Sequence, residues 1–257
     1  MSTRREPGVS VTARLLRVFE AFTADQPSLT LSEISRKVGL PLATAHRMID
    51  ELVRWGALER DDTGRYHIGL RLWEIGALAP RGLGVRERAM PFLEDLYEAT
   101  HQNVQLAVLD GLEALYVERI SGRGAVKVIS RVGGRLPLHA TGVGLALLAF
   151  APAHVQEQVL AAPLRRFTPR TVVNAHELRR VLATVRLEGV VIVEGGVDLS
   201  ALSVAAPIFD RSDQVAAALS IVIPASEPPA PYTPVVRAAA RGVSRALGAP
   251  RALRRPT

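Results

Sequence analysis

The sequence predicts an α+β protein in two parts, an N-terminal winged helix-turn-helix and a larger C-terminal domain of strands and helices. In residues 30–69, two amphipathic helical segments separated by Gly39 precede two short strand-like segments, which is the order of a winged helix-turn-helix. From residue 85 onward, strands, then helices, then strands follow one another, as is typical of an α+β domain. A chain of 257 residues is long enough to form two hydrophobic cores.

The first helix of the motif is predicted by the capping box Thr30-Leu31-Ser32-Glu33, in which a hydroxyl and a carboxylate satisfy amides that lack helical partners. Gly39 supplies the positive φ of a tight turn, and Pro41 suits the first turn of the next helix. A preceding amphipathic helix, Val11–Thr23, is expected to pack on this pair, and residues 1–10 are expected to be disordered.

The second helix is expected to bury Ala45, Met48, Ile49 and Leu52 and to present its other face to DNA. In such motifs the N-terminal part of this helix enters the major groove and contacts base edges. Thr44 suits a phosphate or a base edge, and Arg47 suits guanine or a phosphate. The predicted DNA contacts are Leu42, Ala43, Thr44, His46, Arg47 and, beyond this helix, Arg65. The alternative is an ordinary helical hairpin with a solvated polar face.

The turn residues Asp61-Asp62-Thr63-Gly64 lie between two strand-like segments, 57–60 and 65–68, and predict a wing. The following segment, Leu70–Leu78, is expected to form a linker helix whose apolar side chains cover more than one face. Part of it is therefore predicted to be a dimer contact. Residues 80–84 are expected to form a hinge, which makes residues 70–84 the connection between the two domains.

The second domain is expected to span residues 85–247, followed by a basic tail at 248–257. Its helices are predicted at 85–100, 142–150, 153–160, 174–187 and 233–247, and its strands at 104–109, 114–120, 126–132, 190–193, 202–207 and 215–223. The segment 120–134 carries several basic residues, and two interpretations stay open. It is a mobile flap over a ligand pocket or an exposed hairpin.

Charge and composition narrow the class of protein. The net charge is +7, but residues 1–80 hold 11 basic and 10 acidic side chains, so the motif and not the bulk charge indicates DNA. There is no cysteine, which excludes disulfides and thiolate chemistry. The longest apolar run is too short to span a membrane, and the N-terminus lacks a secretory signal, so a cytoplasmic protein is expected.

An enzyme is not expected. The sequence contains no nucleophile elbow, Walker loop, dinucleotide fingerprint or zinc-protease motif. The six histidines, at 46, 67, 101, 139, 154 and 176, lack the spacing of metal ligands. We therefore expect neither a cofactor nor a metal.

The chain resembles the IclR-type (isocitrate-lyase-regulator) transcription factors from about Val11 to Leu247. The N-terminal match includes Leu31-Ser32-Glu33-Ile34, Gly39-Leu40-Pro41, Thr44, Arg47, Gly56 and Tyr66-His67-Ile68-Gly69. The C-terminal match includes residues 138–144, LHATGVG, and residues 203–210, SVAAPIFD. Leu42-Ala43 stands where that family commonly has Lys-Ser, and Ser203 stands where it usually has Cys.

The resemblance implies a repressor or activator that forms dimers and often tetramers on pseudo-palindromic double-stranded operators. It also implies a GAF-like C-terminal domain that binds a small effector, commonly an organic acid or an aromatic catabolite. By position, the effector contacts would be Gly142, Val143, Val193 or Glu194, Ser203 and Ser220. Amides at a helix start and serine hydroxyls on neighbouring strands suit a carboxylate. The competing hypothesis is a ligand-independent architectural protein whose C-terminal domain only oligomerises.

Overall fold

The computed structural model describes residues 10–122 and 124–253, and the chain divides into two compact units, residues 1–79 and 80–257. Each unit combines helices with an antiparallel sheet, so the predicted α+β class is confirmed. Within the described ranges, no helix combines the length and the apolar character that a membrane span requires.

The first unit contains a three-stranded sheet and a bundle of short helices. In chain order its described elements are α1 (Val11–Glu20), β1 (Ser28–Leu29), α2 (Leu31–Val38), α3 (Leu42–Trp55), β2 (Leu58–Arg60), β3 (Tyr66–Ile68) and α4 (Leu70–Gly76). The strand order is β1-β3-β2, and the core includes Val18, Ile34, Ile49 and Leu58. Helix α4 packs Leu72 against this core, so it is part of the first unit.

The second unit is a six-stranded antiparallel sheet with helices on both faces. Its elements are α5 (Pro80–Thr100), β4 (Asn103–Asp110), β5 (Glu113–Ile120), β6 (Arg135–Pro137), α6 (Gly142–Phe150), α7 (Ala153–Ala161), α8 (Ala175–Glu188), β7 (Val191–Glu194), β8 (Ala201–Phe209), β9 (Val215–Pro224), α9 (Tyr232–Ala246) and α10 (Pro250–Leu253). The strand order is β6-β5-β4-β9-β8-β7.

Side chains alternate between two cores because successive residues of a strand point to opposite faces. On β4, Leu106 and Val108 join the core formed with α5 and α9, whereas Ala107 joins the core formed with α6, α7 and α8. The sheet is therefore covered by helices on both sides.

The predicted strand at 126–132 is wrong. This segment has no strand pairing, and β6 pairs with β5 instead. Side chains hold the segment in place of a backbone ladder: Asn103 Nδ2 donates to the Val126 carbonyl at 2.7 Å, and Arg119 Nη1 donates to the Ser130 carbonyl at 2.7 Å. Apolar alternation cannot distinguish a strand from an extended segment held in this way.

The expected domain connections also differ from the structure. Residues 80–84, predicted as a hinge, form the beginning of α5. In the predicted basic tail, residues 250–253 form α10, and Ala249 and Ala252 pack with Phe209. Ser10 caps α1 by accepting a bond from the Ala13 amide at 3.1 Å, while the rest of the segment expected to be disordered, residues 1–9, and the tail end, 254–257, lie outside the described residues.

Candidate functional site

The start of α2 is fixed by the capping box that the sequence predicts. The Glu33 amide donates to Thr30 Oγ1 at 3.3 Å, and the Thr30 amide donates to Glu33 Oε2 at 2.7 Å. The Thr30 amide, and next the Thr30 hydroxyl that donates to Glu33 Oε2 at 3.0 Å, hold the pKa of Glu33 below its ordinary value. Gly39 ends the helix at φ 68°, a conformation that favours glycine, and the chain turns into α3.

Helix α3 presents a polar surface at its N-terminal half. Ala45 and Ile49 are fully buried, so the opposite face points outward. On that side Leu42, Ala43, His46 and Arg47 are exposed and Thr44 is half-buried.

The charged groups on this surface differ in their partners. His46 Nδ1 lies 3.1 Å from Asp50 Oδ2. Among residues 10–122 and 124–253, no carboxylate lies within 4 Å of the Arg47 guanidinium. In the part of the chain that the structure describes, the Arg47 guanidinium therefore has no ion-pair partner on this surface.

Arg65 has a different environment from the one that the sequence suggested. Its Nη2 donates to the Ser28 carbonyl at 2.9 Å and to Glu33 Oε2 at 3.0 Å, and its Nε donates to Ser28 Oγ at 3.2 Å. These bonds join the base of β3 to β1 and to the start of α2. These bonds use Nε and Nη2 and give Arg65 a structural role, while Nη1 has no bond to another described residue, so the DNA contact of Arg65 stays a prediction.

The wing is a preformed loop between β2 and β3. Asp61 Oδ1 accepts bonds from Thr63 Oγ1 at 2.6 Å, from the Thr63 amide at 3.0 Å and from the Arg65 amide at 3.0 Å. The Thr63 hydroxyl is the main cause that lowers the pKa of Asp61. Asp62 and Thr63 are exposed at the tip.

A cavity lies within the second unit. Its walls are the N-terminus of α6, the strands β4, β5, β8 and β9, and the segment 127–130 that the sequence suggested as a flap. Of the predicted effector contacts it includes Gly142, Val143, Val193, Ser203 and Ser220.

The N-terminus of α6 provides donors at this cavity. Thr141 Oγ1 accepts a bond from the Gly144 amide at 3.1 Å. The amides of Gly142 and Val143 belong to the first turn of α6, where backbone amides have no carbonyl partner within the helix. Gly142 is required sterically, because a Cβ there would lie 2.4 Å from Ser203 Oγ. This close approach brings the helix N-terminus against β8.

Ser220 is a buried polar residue that lines the cavity. It is 1% exposed, and its hydroxyl has no hydrogen-bond partner in the described part of the chain. Its cross-strand neighbour Gln105 is satisfied, since Gln105 Nε2 donates to Ser130 Oγ at 2.7 Å. A buried hydroxyl without a partner is costly, so this one is suited to bonding a ligand.

Glu194, the other effector contact suggested for β7, does not line the cavity. It is exposed and forms an ion pair with Arg170, whereas Val193 lines the wall. Adjacent strand residues point to opposite faces, so only one of the two can face the ligand.

Sequence reasoning missed five polar lining residues, which are Gln105, Tyr116, Ser130, Thr141 and Asp198. A signal existed for Gln105, because it is the one amide side chain within the apolar segment Val104–Leu109. Burial raises the pKa of Tyr116 far above its ordinary value, so its phenol stays neutral.

A winged helix-turn-helix followed by a sheet domain with a cavity is typical of transcriptional regulators that carry both domains in one polypeptide. Residues 11–62 match the family described as "IclR helix-turn-helix domain", and residues 79–247 match "Bacterial transcriptional regulator IclR C-terminal". The chain belongs to the IclR family of transcriptional regulators, which confirms the resemblance seen in the sequence.

Several relatives resemble the chain along most of its length. It is 30% identical to the HTH-type transcriptional regulator XynR of Escherichia coli over 95% of this chain and 99% of XynR. It is 33% identical to the regulator KipR of Bacillus subtilis over 87% and 91% of the two chains. A crystal structure of an IclR homolog from Microbacterium hydrocarbonoxydans, complexed with 4-hydroxybenzoate, aligns with a TM-score of 0.88 at 40% identity, covering 93% of this chain and 99% of that one.

Proposed function

We propose that this DNA-binding regulator changes its affinity for a pseudo-palindromic operator when a small aromatic acid binds in the cavity of the second unit. The observation that carries the proposal is the buried, unpartnered hydroxyl of Ser220 in the cavity that the first amides of α6 also line. The crystal structure of the homolog with 4-hydroxybenzoate supports an aromatic ligand.

The cavity chemistry suits a ring that carries a carboxylate. The amides of Gly142 and Val143 attract negative charge at the positive end of the helix dipole. The hydroxyls of Ser203 and Ser220 line the same space and can orient the carboxylate or a ring substituent. Apolar side chains such as Val193 and Val222 provide contacts for the ring.

On the DNA side, the proposal assigns base or phosphate contacts to Thr44 and Arg47, with His46 as a weaker contact. Leu42 and Ala43 begin the same helix and would lie near the groove floor or the backbone. The exposed first turns of α3 and the exposed Arg47 side chain support this assignment. The ligand alters operator affinity only to the extent that it binds the DNA-bound and DNA-free states differently.

We further propose that the protein is a homodimer that also assembles into tetramers. The first unit has exposed apolar side chains on α4 and just after it: Trp73 is 70% exposed and Leu78 is 80% exposed. A groove lined by Leu15, Phe19 and Trp55 lies in the same unit. A second copy of the chain fits this surface, because a two-fold dimer matches a pseudo-palindromic operator.

No catalytic turnover and no cofactor are part of this proposal. The curated relatives are named as transcriptional regulators, which supports a role in binding and not in chemistry. Because its target is chromosomal DNA, we place the protein in the cytoplasm.

The test combines two titrations on the full chain. An operator selected from random DNA is titrated by fluorescence anisotropy with and without 4-hydroxybenzoate and related benzoates, while calorimetry measures ligand binding directly. We expect at least one benzoate to bind and to shift operator affinity. If ligands bind without any shift, or if no small acid binds while specific DNA binding persists, the ligand-independent architectural hypothesis takes its place.

A further inference from the structure

A second cavity in the second unit is lined by arginines. It lies between the C-terminal end of α8, the outer edge of β8 beyond its pairing with β7, and the helices α9 and α10. Its walls include Arg186, Arg237, Arg241 and Arg251, and Glu188 is the one carboxylate among the lining residues. The cavity therefore carries a net positive charge.

Most of this charge is not neutralised within the protein. In the parts of the chain that the structure describes, Arg186, Arg237 and Arg241 have no carboxylate within 4 Å. Arg237 and Arg241 lie one turn apart on α9, so their guanidinium groups repel each other. A concave surface lined by charges of one sign concentrates the field and attracts counter-ions.

Two of the four arginines, Arg186 and Arg251, are held by contacts within the protein. Arg251 donates from Nε to Asp213 Oδ1 at 3.3 Å and lies 3.8 Å from the centre of the Phe209 ring. Ser244 ties α9 to β8, because its hydroxyl accepts from the Phe209 amide at 3.0 Å and donates to the Ala240 carbonyl at 2.7 Å. Arg186 Nη1 donates to the Ala149 carbonyl at 3.1 Å, which fixes its position and leaves its other amino group available.

We propose that this cavity is a second ligand site, for a small multivalent oxyanion such as a phosphate ester or a di- or tricarboxylate. Guanidinium groups bind such oxygens bidentately, and several of them match more than one negative charge. An added β-strand is disfavoured because Pro207, which lines the cavity on the unpaired edge of β8, has no N–H to donate. The site is independent of the cavity at α6.

The test uses the full-length protein at fixed ionic strength, with pyrophosphate and citrate as separate probes and 4-hydroxybenzoate as the monovalent comparison. Calorimetry should detect binding of at least one probe to the unmodified protein. The double variant Arg237→Gln/Arg241→Gln should weaken that binding at least tenfold. The matched control Arg211→Gln/Arg245→Gln changes the charge equally, at exposed residues outside the cavity lining, and should stay within about twofold.

Binding by pyrophosphate but not citrate would assign the site to phosphate compounds, and the reverse would assign it to polycarboxylates. The proposal is overturned if neither probe binds, or if both double variants lose binding equally, since that would be general charge attraction. It is also overturned if the cavity variant changes only operator affinity or oligomeric state. Binding of 4-hydroxybenzoate should be the same in all three proteins, so the outcome is separable from the function proposed above.

Discussion

The guanidinium of Arg65 and the carboxylate of Glu33 lie 3.0 Å apart, and the same carboxylate oxygen accepts the Thr30 amide at 2.7 Å. One carboxylate therefore holds both the start of α2 and the base of the wing.

Acid should weaken the first unit through Glu33. Its pKa in the folded protein is lowered from the ordinary 4.5, mainly by the Thr30 amide. Its contribution to stability is therefore complete above pH 4.5 and is lost as the pH falls through the lower folded value. Denaturant unfolding of Glu33→Gln across this range should show a shallower loss of stability than the unmodified protein. Glu51→Gln, an exposed position on α3, should keep the full acid dependence, and equal curves for all three proteins would contradict the assignment.

Arg47→Ala should reduce operator affinity by about 10- to 100-fold, because a specific arginine contact contributes about 1–3 kcal/mol. Thermal unfolding should be unchanged, since the side chain is exposed. Arg211→Ala is the matched control: it removes the same charge from an exposed position in the second unit. Anisotropy titrations on the selected operator and on a scrambled duplex separate the two. If both substitutions have a similar effect, Arg47 does not make a sequence-specific contact with a base.

Ser220→Ala should have opposite effects on stability and on ligand binding. Removing a buried hydroxyl that has no partner should stabilise the ligand-free protein by about 1 kcal/mol. Losing a bond to a ligand carboxylate should weaken binding about tenfold. Ser226→Ala, in the exposed turn after β9, should change neither quantity. Loss of stability together with unchanged ligand affinity would show that Ser220 serves packing alone.

Trp73→Ser with Leu78→Ser should shift the protein toward the monomer in analytical ultracentrifugation. The two side chains are largely exposed within their own unit, so replacing them removes interface and not core. Leu187→Ser, at an 84% exposed position on α8, is the comparison and should leave the assembly unchanged. An assembly that persists in the double variant would place the interface elsewhere on the chain.

The winged helix-turn-helix could be predicted from the sequence because its signals are local. The capping box at Thr30, the turn at Gly39 and the periodicity of α3 each lie within a few residues, and the structure has all three. The role of Arg65 was not predictable in this way, because its partner Glu33 is 32 residues away and only the folded sheet brings them together.

The cavity was predictable only in part. Gly142, Val143, Ser203 and Ser220 followed from the family resemblance, and the structure brings them together. The polar residues Gln105 and Ser130 meet through a bond across 25 residues, so no local pattern indicates it. The choice between Val193 and Glu194 required the strand's orientation, which the sequence of a four-residue strand does not define.

The tight contact between Gly142 and Ser203 has a genetic consequence. Every other amino acid brings a Cβ to position 142, and that atom would collide with β8 at the very place where the effector is proposed to bind. Bacteria selected for regulation that no longer responds to the inducing compound should accumulate substitutions at this codon, with the DNA-reading half of the gene left intact.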